Sequence, residues 1–233
     1  KEQHLDILKS AKMRQEFTAN VSHELKTPLT AISGYAELMS NGLVKPSDMD
    51  KFATKIYSEA QRLINLVEDI IKLSRLDEGA EDMKIEELEL YSMAENVKTS
   101  LEDEAKAANV EIILEGETTK INGIHQLVNG IIYNLCDNAI KYNKEGGKVF
   151  INIVSGIKYA ELSVKDTGIG IPPEHQNRIF ERFYRVDKSH SKEVGGTGLG
   201  LSIVKHAAKI HNAEIELKST AGEGTKIKIK FPV

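Results

Sequence analysis

The sequence is poor in cysteine and in aromatic residues, and it has no long apolar run. Its 233 residues include one cysteine, Cys136, and no tryptophan. A single cysteine forms no disulfide within the chain and no thiolate metal cluster, so we expect a reducing compartment. No apolar run approaches the ~20 residues that a helix needs to cross a bilayer, and no signal peptide is recognisable. We therefore expect this fragment itself to make no membrane contact.

The charges nearly balance, with 31 Lys and Arg against 35 Asp and Glu and a formal net charge of −4. This balance predicts no nucleic-acid-binding surface. The length predicts one or two domains, and 40% hydrophobic residues suffice to build their cores. The chain begins with Lys rather than Met, so we expect a piece of a longer protein, whose missing part could hold a membrane anchor.

The stretch from Phe17 to Thr30 combines an apolar helical repeat with a cluster of polar side chains. The apolar residues recur at three- and four-residue steps, which predicts one buried helix face. His23 lies about 200° round the helix from that face, and Thr27, four residues on, shares the outward side. An outward imidazole next to Glu24 fits a nucleophile with its base, and it equally fits a solvated surface histidine.

Residues 1 to about 41 predict one long helix, in which Pro28 either causes a kink or begins a new helix after Thr27. The apolar repeat continues across the proline, which favours the kinked helix. A second amphipathic helix at 48–77 carries an apolar stripe too wide to be buried in a single hairpin. We expect a homodimer that closes a four-helix bundle, and the alternative is packing of the stripe on the chain's own second domain.

From residue 84 onward, strands alternate with helices, a pattern typical of an α/β sandwich. Short turns between neighbouring strands predict a mixed sheet, and the acidic segment 77–82 predicts a linker. Ser92 and Glu95 resemble a capping box. The predicted strands are 84–90, 110–114, 148–154, 159–165, 213–218 and 225–231, and the predicted helices are 92–108, 123–141, 173–181 and 198–211.

Two asparagines in the second domain fit a metal-assisted phosphate site. Asn134 and Asn138 lie four residues apart on one helix face, and amide oxygens suit Mg²⁺. Lys141 could then meet a phosphate, and Tyr142 could offer a ring beside a base. Asparagines at this spacing on an exposed helix are also common without any function.

Asp166 ends the predicted strand 159–165 and is followed by Gly168 and Gly170. A carboxylate at the end of a strand, with glycines that let a ligand approach the backbone, fits a site that reads an exocyclic amine. The same residues also fit an ordinary turn.

A glycine-rich run at 195–201 leads into an apolar helix, where backbone amides and the helix dipole favour an anion. Its spacing matches neither a P-loop nor a dinucleotide fingerprint. Arg185 is a candidate phosphate contact, and the polar segment 186–194 predicts a mobile lid.

The order and spacing of these clusters resemble the sensor histidine kinases of two-component systems. The resemblance covers essentially the whole chain. It implies a HisKA-type dimerisation and phosphotransfer hairpin over 1–78, a linker at 79–83, and a HATPase_c (GHKL-type) ATP-binding domain over 84–233. The implied fold class is α+β: a helical hairpin forming a dimeric four-helix bundle, then a Bergerat-type α/β sandwich with a mixed sheet. The segments that carry the resemblance are 17–30, 134–142, 166–170, 180–185, 196–200 and 222–225.

The resemblance also implies roles for individual residues. His23 is the expected phosphoacceptor, Glu24 the acid that helps take its proton, and Thr27 the residue that positions water for dephosphorylating a partner. Mg²⁺ is expected at Asn138 and Asn134. The expected ATP-binding residues are Asn134, Asn138, Lys141, Tyr142, Asp166, Gly168, Gly170, Arg185, Gly196, Thr197, Gly198, Leu199 and Gly200.

By the same resemblance, ATP and Mg²⁺ are the expected cofactors, and the expected partner is the receiver domain of a response regulator. The implied location is the cytoplasmic portion of a membrane-anchored bacterial sensor. Two alternatives to an autokinase are a regulator that acts mainly as a phosphatase and a non-catalytic dimeric module that uses ATP as a switch.

Overall fold

The computed structural model of the chain describes residues 2–77, 83–187 and 196–233. The chain divides into two compact units, Lys1–Ile71 and Lys72–Val233. Most of the expected linker at 79–83 and of the expected lid at 186–194 lies outside the described residues.

The first unit is built from two long helices. Helix α1 (Glu2–Ser40) is followed by a 3₁₀ turn (Pro46–Asp48) and then by helix α2 (Met49–Asp77), whose last residues belong to the second unit. Helix α1 continues without a break through Pro28. The single-helix interpretation is therefore confirmed, and a new helix beginning at Pro28 is wrong.

Many large apolar side chains of α1, α2 and the loop between them are exposed. Leu29 is 51% exposed and Tyr57 is 66% exposed, both within long amphipathic helices. Apolar surface on this scale is the kind that associating proteins cover. The exposed residues of this set are Leu29, Leu38, Leu43, Met49, Tyr57, Ile64, Val67 and Ile71.

The second unit is an α/β domain. Within the described residues, it has a five-stranded sheet in the order β2-β4-β5-β7-β6. Strands β2 and β4 run parallel and the other neighbours antiparallel, which confirms the predicted mixed sheet. The strands are β1 (Glu86–Glu89), β2 (Glu111–Gly116), β3 (Lys120–Gly123), β4 (Lys148–Val154), β5 (Tyr159–Asp166), β6 (Glu214–Thr220) and β7 (Gly224–Pro232). The helices are α3 (Leu90–Ser100), α4 (Glu102–Ala107), α5 (His125–Lys141), α6 (Pro173–Gln176) and α7 (Gly200–Ile210).

Helices α3, α5 and α7 supply the apolar layer that packs with the sheet. Alternate residues of β4 (Val149, Ile151 and Ile153) are fully buried, as a strand with one covered face requires. Cys136 on α5 is also fully buried, and burial, aided by Asp137, raises the pKa of its thiol to about 12. The Cys136 thiol therefore stays protonated at neutral pH.

Three sequence-based expectations for this unit are wrong in detail. Strand β3 was not expected, and it pairs with β1 in a two-stranded antiparallel sheet. The helix expected at 92–108 is two helices, because the chain leaves helical geometry at Leu101. The helix expected at 173–181 ends at Gln176, after which Arg178 and Glu181 make three-residue turn hydrogen bonds instead.

Helix α3 begins at Leu90 because Glu89 caps it. The Glu89 carboxylate accepts hydrogen bonds from the amides of Tyr91 (2.8 Å), Ser92 (2.7 Å) and Thr119 (3.1 Å). Burial alone would raise the pKa of Glu89, but a hydrogen bond from the Ser92 hydroxyl, together with those from the three amides, outweighs it and holds the pKa below its usual value. The capping box expected from Ser92 is wrong, since Ser92 lies inside the helix.

Among the described residues, no helix combines the length and the apolar character that crossing a membrane requires.

Substituting Glu89 with Ala should lower the free energy of unfolding by about 1–2 kcal/mol, because amides at the start of α3 lose their acceptor. Urea unfolding measures this change. Glu95→Ala is the matched control, since it removes an exposed carboxylate of the same helix, and it should change stability by less than about 0.5 kcal/mol. Equal losses in the two variants would contradict the assignment of Glu89 as the cap.

Candidate functional site

His23 lies on the outward side of α1, as the apolar repeat predicts. Its side chain is 81% exposed, and its Nδ1 atom is 3.9 Å from Oε1 of Glu24. This distance exceeds a hydrogen bond, but contacts of this kind commonly shorten when a substrate binds. Thr27 lies one turn further along α1, where its hydroxyl donates a hydrogen bond of 3.2 Å to the His23 carbonyl. The structure therefore brings these three residues together.

Asp166, the last residue of β5, is the buried acid of the second unit. Its Oδ1 atom accepts hydrogen bonds from the amides of Gly168 (2.8 Å) and Thr225 (3.1 Å). Among the residues that the structure describes, Oδ2 accepts none. Burial raises the pKa of Asp166 above its usual 3.8, although the two amides act in the opposite direction. Because Oδ1 is occupied, Oδ2 is the oxygen available to an exocyclic amine.

Gly168 and Gly170 are required by close backbone approaches. A Cβ atom on Gly168 would lie 2.1 Å from the Tyr142 carbonyl oxygen, so no other residue fits there. Gly170 has a φ of +65°, and a Cβ there would lie 1.9 Å from the Thr220 carbonyl oxygen. These contacts hold the turn after Asp166 against neighbouring backbone. Close approach of a ligand to these glycines stays a prediction.

Asn134 and Asn138 lie one turn apart on α5, and Asn134 reaches the start of α7. A Cβ on Gly200, the first residue of α7, would lie 2.7 Å from Asn134 Oδ1. The Nδ2 atom of Asn134 donates to the Gly130 carbonyl at 2.8 Å, which fixes the orientation of the amide. Within the described part of the chain, the Asn138 carboxamide has no hydrogen-bond partner. Both amide oxygens are thus suitable ligands for Mg²⁺.

Arg185 lies against the glycine-rich segment. A Cβ on Gly198, whose φ is +74°, would lie 3.3 Å from Arg185 Nε and 3.0 Å from Phe183 Cα. The Gly198 carbonyl accepts a hydrogen bond of 2.9 Å from the Phe183 amide, and Phe183 itself has a φ of +63°. A backbone hydrogen bond therefore joins the segment 180–185 to the glycine-rich segment 196–200.

The remaining residues of the glycine-rich segment prepare the start of α7. The Thr197 hydroxyl accepts a hydrogen bond of 3.2 Å from the Leu199 amide. Leu199 is fully buried and anchors the segment in the core. The described part of this segment begins at Gly196. The amides at the start of α7 form the kind of end at which phosphates bind.

Among the described residues, Lys141 is not placed with a phosphate-binding group. Its ammonium forms an ion pair of 2.7 Å with Asp137, one turn earlier on α5. The i, i+4 spacing of the two charges in the sequence could have predicted this pair. Tyr142 lies beside the turn that follows Asp166, because its carbonyl accepts the Ile169 amide at 3.0 Å.

Sequence reasoning missed several residues that organise these sites. Thr225 supplies an amide to Asp166, and Arg62 lies beside Glu24 at 3.7 Å. His211 accepts a hydrogen bond of 2.9 Å from the Ile124 amide, next to the first residue of α5. A backbone donor and an arginine on another helix leave no local pattern, so no sequence signal identified them.

Two protein families match this chain. Residues 13–79 match the His Kinase A (phospho-acceptor) domain. Residues 123–233 match the histidine kinase-, DNA gyrase B- and HSP90-like ATPases. The chain belongs to the sensor histidine kinases. Its second unit is accordingly an ATP-binding domain of this family.

Similar proteins are sensor kinases of bacteria. The chain is 38% identical over 221 residues to the sensor-like histidine kinase SenX3 of Mycolicibacterium smegmatis, covering 94% of this chain and 57% of that protein. It is 35% identical over 235 residues to the sensor histidine kinase WalK of Bacillus subtilis, covering 97% of this chain and 38% of that protein. The chain thus spans well under two thirds of these relatives.

Solved histidine kinases share the fold. The Acinetobacter baumannii kinase AdeS superposes with a TM-score of 0.74 at 24% identity, covering 90% of this chain and 97% of that one. The kinase ShkA, solved with AMPPNP, superposes with a TM-score of 0.68 at 25% identity, covering 93% of this chain and 45% of that one.

Substituting Asp166 with Asn should weaken ATP binding about 10- to 100-fold, because the amide would present a donor, not an acceptor, to the exocyclic amine. Calorimetric titration with ADP, which carries the same adenine amine as ATP, measures this loss. Asp103→Asn is the matched control, since it neutralises an exposed aspartate of α4, and its affinity should stay within about twofold. Equal affinities of Asp166→Asn and the wild type would contradict the assignment.

The same variant should remain folded, because its Oδ1 atom still accepts the two amides. A pKa that burial raises in the folded state means that ionising Asp166 costs stability. The free energy of unfolding therefore falls as the pH rises from about 3.8 through the folded-state pKa. The variant lacks this slope, so its stability relative to the wild type should increase in urea unfolding as the pH rises above about 3.8.

Proposed function

We propose that the chain is the catalytic core of an ATP-dependent protein-histidine kinase that phosphorylates its own His23 and passes the phosphoryl group to an aspartate of a response regulator. One observation carries the proposal. The same chain presents an exposed histidine beside a carboxylate and, on its second unit, a buried aspartate whose Oδ1 accepts two backbone amides while, among the described residues, its Oδ2 accepts none. The relationship to sensor histidine kinases supports both halves.

The geometry at His23 assigns roles to its two ring nitrogens. Nδ1 faces Glu24, so Nε2 is the nitrogen left to attack. In the transfer, the bond between Nε2 and the γ-phosphorus forms, the bond from that phosphorus to its bridging oxygen breaks, and ADP leaves with the electron pair. The Nδ1 proton goes to Glu24. Little covalent work falls to the protein, and positioning and charge neutralisation dominate.

Residues of the second unit hold ATP as the substrate of this step. Asp166 Oδ2 accepts the adenine amine, the amides of Gly198 and Gly200 bind phosphate oxygens, and Arg185 offsets their charge. Asn138 is the direct ligand of Mg²⁺, with Asn134 beside it. When bound, Mg²⁺ neutralises charge on the phosphates. Lys141 joins this set only by leaving Asp137.

The exposed apolar side chains of α1 and α2 support a homodimer through the hairpin. A mass of one chain in sedimentation equilibrium would contradict it. The likeness to longer bacterial sensor kinases supports a place in the cytoplasmic portion of a membrane-anchored sensor. The kinase ThkA, solved in complex with the response regulator TrrA, shares the fold with a TM-score of 0.78 at 24% identity, covering 99% of this chain and 65% of that one.

Substituting His23 with Gln should abolish acid-labile labelling by γ-labelled ATP, because the amide cannot attack phosphorus. The matched control is His125→Gln, which removes an exposed histidine of α5 and should leave the labelling intact. Tight ADP binding by the His23 variant shows that its pocket is unchanged. Label that survives in His23→Gln would overturn the proposal.

Phosphatase activity toward the same regulator is a second function, and the position of Thr27 favours it. Its hydroxyl lies one turn from His23, on the outward side of the helix. Thr27→Ala should keep autophosphorylation and slow the loss of phosphoaspartate from the regulator about tenfold or more. Thr27→Ser, which keeps the hydroxyl, should restore most of the rate. Unchanged turnover in Thr27→Ala would contradict this role.

The remaining alternative is a non-catalytic module that uses ATP as a switch. Tight ATP binding by the wild type without any transfer of label would favour it over the kinase.

A further inference from the structure

Arg62 on α2 lies beside the carboxylate that accompanies His23. Its Nη2 atom is 3.7 Å from Oε2 of Glu24 on α1, and its side chain is only 13% exposed. The other terminal nitrogen, Nη1, is 3.7 Å from Oε2 of Glu59, three residues earlier on α2. A guanidinium presents its nitrogens in a rigid planar fork, so the two carboxylates restrain it from both sides.

Glu59 stabilises the position of the Arg62 guanidinium. Its Oε2 atom is shielded from solvent and, among the described residues, makes no hydrogen bond. A shielded carboxylate oxygen needs a compensating positive charge, and Arg62 is the cation that faces it. Glu59 therefore favours a guanidinium at this position.

The two carboxylate oxygens of Glu24 face different groups. Oε2 faces Arg62, and Oε1 faces Nδ1 of His23. The terminal torsion of a glutamate is broad, so an unrestrained carboxylate samples many orientations. Arg62 narrows this range, because the attraction to Oε2 leaves Oε1 directed at the imidazole.

We infer that Arg62 is a positioning residue for the phosphorylation of His23. It acts through Glu24, by holding the carboxylate with one oxygen toward the Nδ1 proton that Glu24 receives when Nε2 bonds to phosphorus. The inference rests on the proposed kinase function. It adds a residue of α2 to those that affect the rate of phosphoryl transfer.

A purely structural role would join α1 to α2 without affecting the reaction. Arg62→Met keeps most of the side-chain length and the helix propensity but removes the charge, and Arg62→Lys keeps the charge. If Arg62 positions Glu24, the Met variant should autophosphorylate about tenfold more slowly with the KM for ATP unchanged, and Lys should restore most of the rate. A role in packing predicts that Met performs as well as Lys, and that result would overturn the inference.

The decisive test is a double-mutant cycle. Glu24→Gln removes the group through which Arg62 acts, so adding Arg62→Met should change the remaining rate by less than about twofold. A further tenfold loss in the double variant would show that Arg62 acts independently of Glu24, and the inference would fail. If Arg62→Met does not fold, Glu59→Gln is the second variant, since it releases Arg62 on one side. It should slow labelling about threefold or more, and an unchanged rate would overturn the inference.

Failure of the kinase function and failure of the role of Arg62 give different results. A wild type that takes up no label on His23 removes the proposed kinase function and this inference with it. A labelled wild type beside an equally labelled Arg62→Met variant removes only the role of Arg62.

Discussion

One buried carboxylate oxygen, Oδ1 of Asp166, joins two backbone segments of the proposed nucleotide site. It accepts amides from Gly168, in the turn after β5, and from Thr225, near the start of β7. Two segments 57 positions apart in the sequence thereby meet at one atom. The arrangement leaves the other oxygen for a ligand, at the cost of a raised pKa that burial imposes. The burial of a charged carboxylate lowers the stability of the fold at the place where the proposed ligand needs a charged acceptor.

In the first unit the proposed reactive residue is exposed, whereas Asp166 in the second unit is buried. His23 is kept exposed on a helix, and its chemistry depends on neighbours that orient it rather than on burial. The carboxylate of Glu24 faces the imidazole, and Arg62 faces the carboxylate. The proposed role of His23, which is to accept a phosphoryl group from a nucleotide and pass it to a partner protein, requires an accessible imidazole. The groups that orient His23 are therefore Glu24 on its own helix and Arg62 on α2, which leave the imidazole exposed.

The sequence predicted what local periodicity determines, and it failed where distant partners decide. The outward side for His23 and the continuous helix through Pro28 followed from the apolar repeat. The start of α3 did not, because Glu89 caps it with help from Thr119, thirty positions away. Likewise, the Asp166 carboxylate was predicted as a reading group, whereas the amide of Thr225 that orients it had no local signal.

The central claim is that the γ-phosphoryl group of ATP moves to Nε2 of His23. Peptide mapping by mass spectrometry, under alkaline conditions that preserve phosphoramidates, tests it on the unmodified chain after incubation with ATP and Mg²⁺. The account predicts one phosphoryl group, on the peptide that contains His23. A phosphoryl group on any other residue, or none on a protein that binds ATP, would contradict it.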